Sequence, residues 1–119
     1  MASRAHFVFA TDPETLGRFY TEVLRLDPPK QFRINNRPGW IYNFTGGELH
    51  VRQSTKGRPP EIDEPLPYQL PAGVDLEQLA QSLNGQAAGL TRGTTPKGIP
   101  YIELVDPAGV PWRIMSHGR

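Results

Sequence analysis

Residues 6–26 read HFVFATDPETLGRFYTEVLRL, and this stretch decides the fold of the chain. Bulky apolar side chains recur among its first residues in the alternating pattern that is typical of a β-strand. Thr11 or Asp12 then provides a helix N-cap, and Pro13 suits the first helical turn. The apolar residues that follow recur at helical spacing. The stretch therefore predicts a strand that leads directly into an amphipathic helix ending before Pro28-Pro29.

The same order of elements occurs twice. Short apolar segments follow the first helix and end at His50-Val51-Arg52. A second round opens at Pro67-Tyr68-Gln69-Leu70, continues through an amphipathic segment at 74–83, and ends with strands at 101–105 and 110–115. This repeat predicts an α+β fold made of paired βαβββ modules that form a U-shaped mixed sheet, with a pocket between the modules.

The predicted organisation is a single domain over residues 1–119. The first module covers about 4–53 and the second about 66–116. Between them, residues 54–65 are rich in Gly, Pro and charge, which predicts a linker. This linker either borders the pocket as a lid or is a passive surface loop.

Composition excludes several classes of protein. The 13 Lys and Arg residues nearly balance 12 Asp and Glu, for a formal charge of +1, and the charges are interspersed, so no nucleic-acid partner is expected. The absence of cysteine excludes disulfides, zinc–thiolate sites and a thiol nucleophile. No run approaches the roughly 18 apolar residues of a membrane span. We therefore expect a soluble cytoplasmic protein with no membrane partner.

Three stretches together resemble the vicinal oxygen chelate superfamily, which includes glyoxalase I, fosfomycin and bleomycin resistance proteins and extradiol dioxygenases. The first is His6-Phe-Val-Phe, and the second runs from Asp12 through Phe19-Tyr20-Thr-Glu-Val-Leu24. The third, Leu104-Val-Asp-Pro-Ala-Gly109, is similar to the Asp-Pro-Asp-Gly turn of the family. The chain departs from the pattern where Pro13 replaces Leu, Arg25-Leu26 replaces the usual Gly, and Ala108 replaces Asp.

The resemblance implies a position for a divalent metal, because metal-dependent members hold one ion with His, Gln or Glu from the first and last strands of each module. His6 and His50 match two of these positions. The other two carry Pro67 or Tyr68 and Arg113, and a guanidinium repels a cation at short range. We therefore expect no metal cofactor; if a divalent ion does bind, the predicted ligands are His6, His50 and Glu103.

The orientation of His6 depends on the register of the first strand. Side chains alternate between the two faces of a sheet, so a slip of one residue would turn His6 into the core and direct Phe7 and Phe9 toward the pocket. A gap in the following loop would restore His6 to the pocket. The sequence leaves both registers open.

The candidate ligand-binding residues share faces of predicted strands. Arg52 shares the face of His50, Trp40 shares that of Tyr42, and Tyr101 shares that of Glu103. Glu103 requires a partner because an isolated buried charge is costly, and Arg113 on the adjoining strand is the obvious one. This pair either fills a redundant metal site or binds a polar ligand, with Glu103 as a candidate catalytic base. The predicted substrate-binding set is His6, Trp40, Tyr42, His50, Arg52, Tyr101, Glu103 and Arg113.

Three functions follow from these residues. The first is a small-molecule-binding protein of the glyoxalase and bleomycin resistance type without the complete metal site. The second is a metal-dependent lyase or isomerase of the glyoxalase type with a rearranged ligand set. The third is a structural or interaction module. Whether the protein is an enzyme stays open, and the resemblance also implies a homodimer with isologous contacts.

Overall fold

The computed structural model of the protein describes residues 5–56, 62, 64–83 and 87–117. The first module contains β1 (Ala5–Ala10), α1 (Pro13–Arg18), a π-helical turn (Phe19–Val23), β2 (Lys30–Ile34), β3 (Arg37–Phe44) and β4 (Gly47–Gln53). Its strands form one sheet in the order β1-β4-β3-β2. β1 lies parallel to β4, and the other neighbours are antiparallel.

The second module repeats this topology. It contains β5 (Leu66–Gln69), α2 (Leu76–Leu83), β6 (Ala88–Thr94), β7 (Pro100–Val105) and β8 (Pro111–Met115). The strand order is β5-β8-β7-β6, with β5 parallel to β8. The predicted α+β class and paired βαβββ modules are confirmed. The eight strands are organised as two four-stranded mixed sheets, one for each module.

Positions 57–61 and 63 of the predicted linker lie outside the described residues, so its role as a lid or a passive loop stays a prediction. Within the described part of the chain, no helix combines the length and apolar character needed to cross a membrane.

The first helix is defined at both ends by local interactions. At its start, the Asp12 side chain accepts hydrogen bonds from the Thr15 backbone N–H at 3.2 Å and from the Thr15 hydroxyl at 2.7 Å, and these bonds lower the pKa of Asp12. At its end, the chain widens into the π-helical turn, and Arg25 adopts a left-handed conformation with φ of 65°. Arg25 thus occupies a conformation that usually favours glycine. Glycine is the usual residue here in the vicinal oxygen chelate pattern, where this chain has Arg25-Leu26.

One face of each sheet packs, with the helices, into a core that both modules share. Val8 and Val51 supply this core from β1 and β4, and Ile102 and Ile114 supply it from β7 and β8. Aromatic rings join the two halves, since Trp112 of β8 contacts Tyr20 and Phe44 of the first module. The modules are therefore connected through side chains of the core.

The buried carboxylate of Asp106 is the main polar contact between the modules. Its Oδ2 accepts hydrogen bonds from the Tyr20 hydroxyl at 2.7 Å and from Trp112 Nε1 at 3.0 Å. Its Oδ1 accepts from the backbone N–H groups of Ala108 at 2.8 Å and Val110 at 3.0 Å. Burial raises the pKa of Asp106, although these hydrogen bonds oppose the change, and burial beside this carboxyl raises the pKa of Tyr20 well above its usual value.

Replacing Asp106 should destabilise the whole protein. Asp106→Asn presents an amide N–H₂ to donors that now bond a carboxylate oxygen, so we expect the free energy of unfolding to fall by about 2–4 kcal/mol. Tyr20→Phe removes one donor from this buried carboxylate and should cost about 1.5–3 kcal/mol. Urea unfolding followed by circular dichroism measures both changes.

The matched control is Asp12→Asn, because asparagine caps a helix about as well as aspartate does and the site is exposed. We expect it to leave the midpoint of urea unfolding nearly unchanged. Equal losses for Asp106→Asn and Asp12→Asn would contradict the role assigned to Asp106.

Candidate functional site

The first sheet has a second face that points away from the shared core, which we call the outer face. It carries Phe7, Phe9, Lys30, Phe32, Gly39, Ile41, Glu48, His50 and Arg52, which alternate along the strands with the core residues. The strand register aligns these residues in rows across the sheet. One row is Phe9–Arg52–Gly39–Phe32, and the next is Phe7–His50–Ile41–Lys30.

Gly39 creates space in the first of these rows. A Cβ atom at this position would lie 2.5 Å from Cζ of Phe32, so the Phe32 ring extends over the glycine toward the centre of the sheet. A larger residue would displace the ring. Gly39 therefore determines where the Phe32 ring lies.

His50 and Arg52 are both held by neighbours on the outer face. His50 Nε2 lies 3.0 Å from Glu48 Oε1, which lets the imidazole N–H donate to the carboxylate. The His50 ring packs against Phe7, with 5.0 Å between ring centroids, and against Phe32, with 6.4 Å. The Arg52 guanidinium lies over the Phe7 ring at 5.1 Å from its centroid. The arrangement combines aromatic walls with one imidazole and one guanidinium.

A cavity of about 580 Å³ opens at the end of the outer face, within the range of small-molecule sites. Its lining residues come from all four strands of the first module and the connections next to them: Phe9, Phe32, Asn35, Arg37, Pro38, Gly39, Arg52, Gln53 and Ser54. Of the predicted binding residues, this cavity includes Arg52.

The second sheet carries a separate charged cluster on its own outward-pointing face. Arg113 and Glu103 are direct cross-strand neighbours; the carboxylate oxygen Glu103 Oε2 accepts a hydrogen bond from Arg113 Nε at 2.7 Å and forms an ion pair with Nη2 at 2.6 Å. The Arg113 guanidinium also stacks on the Tyr101 ring, 4.5 Å from its centroid. Both charged groups of this cluster are thus partnered within the protein.

The remaining predicted residues lie on the core side of the first sheet. His6 shares the face of Val8 and Ala10, and its ring centroid lies 6.4 Å from that of Phe44. Tyr42 is buried against Tyr20, and Trp40 is partly buried on the same face. Of the two registers considered for β1, the structure has the one that directs Phe7 and Phe9 outward. Ligand binding by His6, Trp40 and Tyr42 stays a prediction.

The side chains named as metal ligands do not fit a common metal ion. His6 and His50 lie on opposite faces of the first sheet, and Glu103 is bonded to Arg113 on the second sheet. Among the residues that the structure describes, no three His, Asp or Glu side chains form a group that could hold a metal. A family-type ion would require a different arrangement of these residues.

Comparisons with known proteins agree on the fold. No protein-family model matches the sequence, and no curated protein matches it. Among solved structures, a Bacillus subtilis protein provisionally described as a dioxygenase superposes with a TM-score of 0.72 at 19% identity. The match covers 98% of this chain and 40% of that protein, so the chain spans less than half of the longer protein.

Two structures of similar length also match. YycE of Bacillus subtilis, a protein of unknown function provisionally described as a glyoxalase/fosfomycin resistance protein, has a TM-score of 0.60 at 21% identity over 99% of this chain and 90% of its own. Lactoylglutathione lyase of Agrobacterium tumefaciens has a TM-score of 0.61 at 12% identity over 97% of this chain and 92% of its own. The chain therefore has the fold of these glyoxalase-like proteins.

The Glu103–Arg113 pair should contribute little to stability. Its side chains are 30% and 44% exposed, so solvent and salt screen their attraction. A double-mutant cycle with Glu103→Gln and Arg113→Gln should give a coupling energy below about 1 kcal/mol that decreases as salt is added. A coupling of 3 kcal/mol or more in urea unfolding would contradict this assignment.

Proposed function

We propose that the protein is a divergent member of the vicinal oxygen chelate superfamily that binds a small molecule without a family-type metal ion. The observation that carries this proposal is the cavity of about 580 Å³ beside the outer face of the first sheet. Its walls combine Phe9 and Phe32 with Arg52, and most small-molecule sites consist of apolar walls with a few placed polar groups. The fold is shared with structures described as glyoxalase and fosfomycin resistance proteins, which also supports small-molecule binding.

The second candidate is a glyoxalase-type lyase or isomerase. It is favoured by the contact of 3.0 Å between His50 and Glu48, because a carboxylate that accepts from one ring nitrogen leaves the other available as a base. It is disfavoured by the separation of His6, His50 and Glu103, since stabilising an enolate or an oxyanion with a metal requires several ligands at one point. Binding of a small molecule in the cavity does not require His6, His50 and Glu103 to come together.

Small-molecule binding is testable by removing one wall of the cavity. Thermal-shift screening of a chemically mixed library, with and without nickel, zinc and manganese, should identify compounds that stabilise the protein without added metal. For such a compound, Phe32→Ala should raise Kd about tenfold or more, because the ring supplies contact area and stacking. Isothermal titration calorimetry measures the change.

Gln81→Ala provides the control, because Gln81 is an exposed residue of α2 in the second module and does not line the cavity. It should leave Kd unchanged. A stoichiometric divalent metal in protein purified without a tag, or the lack of any saturable ligand in the library, would contradict the proposal.

We also propose that the protein is a homodimer with isologous contacts. In the described part of the chain, the large apolar residues that are notably exposed are Phe7, at 42%, on the first sheet, and Leu90, at 39%, on the second. Burial of such residues against a second copy would remove apolar surface from water.

Sedimentation velocity at micromolar concentration should give about twice the mass of the chain. Phe7→Asp or Leu90→Asp should shift the protein toward monomer, since a charge is costly in an apolar interface. Lys97→Asp, at an exposed turn, is the control and should leave the mass unchanged. A wild-type monomer under these conditions would contradict the dimer.

A further inference from the structure

Arg52 carries an unused hydrogen-bond donor at the cavity. Its Nε atom is buried and has no hydrogen-bond partner among the residues that the structure describes. The Arg52 guanidinium carbon lies 5.1 Å from the centroid of the Phe7 ring, and this contact does not satisfy the Nε–H, which donates in the plane of the group. A buried donor without an acceptor is unfavourable, and because Arg52 lines the cavity, a shift of its side chain would bring this donor to an acceptor on a bound ligand.

The charges around the cavity favour an anionic ligand. Arg37 and Arg52 both line it, and the lining includes no aspartate or glutamate. The nearest acidic residue on the outer face is Glu48, two positions from His50 on the same strand, and it contacts that imidazole. No carboxylate in the cavity lining therefore neutralises Arg37 or Arg52. A bound anion would be attracted by both arginines.

The apolar walls favour a flat ligand body. Phe9 and Phe32 stand at the two ends of the row that contains Arg52 and Gly39. Because neighbouring strands are about 4.8 Å apart, the two Phe backbone positions are separated by roughly 14 Å. Gly39 contributes no side chain to this row and the Phe32 ring fills the space above it, so a ligand ring in the cavity meets Phe32 rather than the sheet.

We infer that the ligand is an aromatic carboxylate whose carboxylate group binds the guanidinium of Arg52 and whose ring packs against Phe32. The planar fork of arginine matches the two oxygens of a carboxylate, and Arg37 adds a second positive charge at the mouth of the cavity. This inference rests on the proposed function, because it specifies the ligand class of the same cavity.

The test uses three probes with the same ring and different charge: 2-naphthoate, 2-naphthamide and 2-naphthylmethylamine. Isothermal titration calorimetry on the full chain should show that the carboxylate binds at least tenfold more tightly than the amide and the amine, since hydrogen bonds to charged groups are stronger. Added salt should weaken binding of the carboxylate and leave that of the amide unchanged.

Arg52→Gln should weaken naphthoate binding at least tenfold and remove the preference for the acid over the amide. Arg37→Gln should weaken it less, because Arg37 is exposed. Arg18→Gln, an exposed arginine of α1, is the matched control and should change nothing. Arg52→Met keeps a long side chain and removes the buried donor, so its Tm should equal or exceed that of the wild type while naphthoate binding is lost.

Equal binding of the acid and the amide, preferential binding of the amine, or full naphthoate affinity in Arg52→Gln would overturn the inference. The same holds if Arg113→Gln, rather than Arg52→Gln, removes binding, or if only ligands of other classes bind at the cavity. In these last two cases small-molecule binding itself would stand. If neither the naphthyl probes nor any library compound binds, the inference and the proposed function fail together.

Discussion

The buried carboxylate of Asp106 joins two halves of the chain that share no strand pairing within the described residues. It accepts hydrogen bonds from the first module through Tyr20 and from the second through Trp112 and the turn at 106–110. A charge removed from water is tolerated when its oxygens are satisfied in this way, and removing one partner exposes the full desolvation penalty. Because Tyr20 belongs to the segment that covers the first sheet, this contact holds that segment against the second module.

The alternation of side chains then determines which residues lie on the outer face. With Val8 and Val51 in the core, their neighbours Phe7, Phe9, His50 and Arg52 must point the other way. The same register turns His6 inward, away from His50. The register of β1 thus separates His6 from His50, the two histidines predicted as metal ligands. It also brings aromatic side chains together around Arg52 on the outer face.

Much of the fold could be predicted from local signals. The capped helix that begins after Asp12, the turn at 106–109 and the alternating strands each depend on residues close in sequence, so their order identified the modules. The proximity of Glu103 and Arg113 follows from a short hairpin for the same reason. Arg52 and His50 share a face because they are two residues apart on one strand.

The cavity could not be predicted because it depends on contacts between distant segments. Phe32 and Gly39 meet Arg52 and Phe9 only through the pairing of β1 with β4 and of β4 with β3, and hydrophobic pattern alone does not give these registers. The positions of Trp40 and Tyr42 depend on which side of β3 the first helix covers, and both faces of that strand carry apolar residues. The hydrophobic pattern therefore locates the modules and offers Phe9 in one of two registers, but it does not point to Phe32 or Gly39.

The parallel pairing of the first and last strands of each module also affects how the chain acquires its structure. Ala5 pairs with Glu48, and Leu66 pairs with Trp112, so neither sheet closes until its last strand is available. The hydrogen bond of the Tyr20 hydroxyl forms only after still more of the chain is available, because its acceptor lies 86 residues further along the chain. During synthesis the first module therefore emerges from the ribosome with part of its apolar surface uncovered, and this surface is buried only when the second half of the chain packs against it.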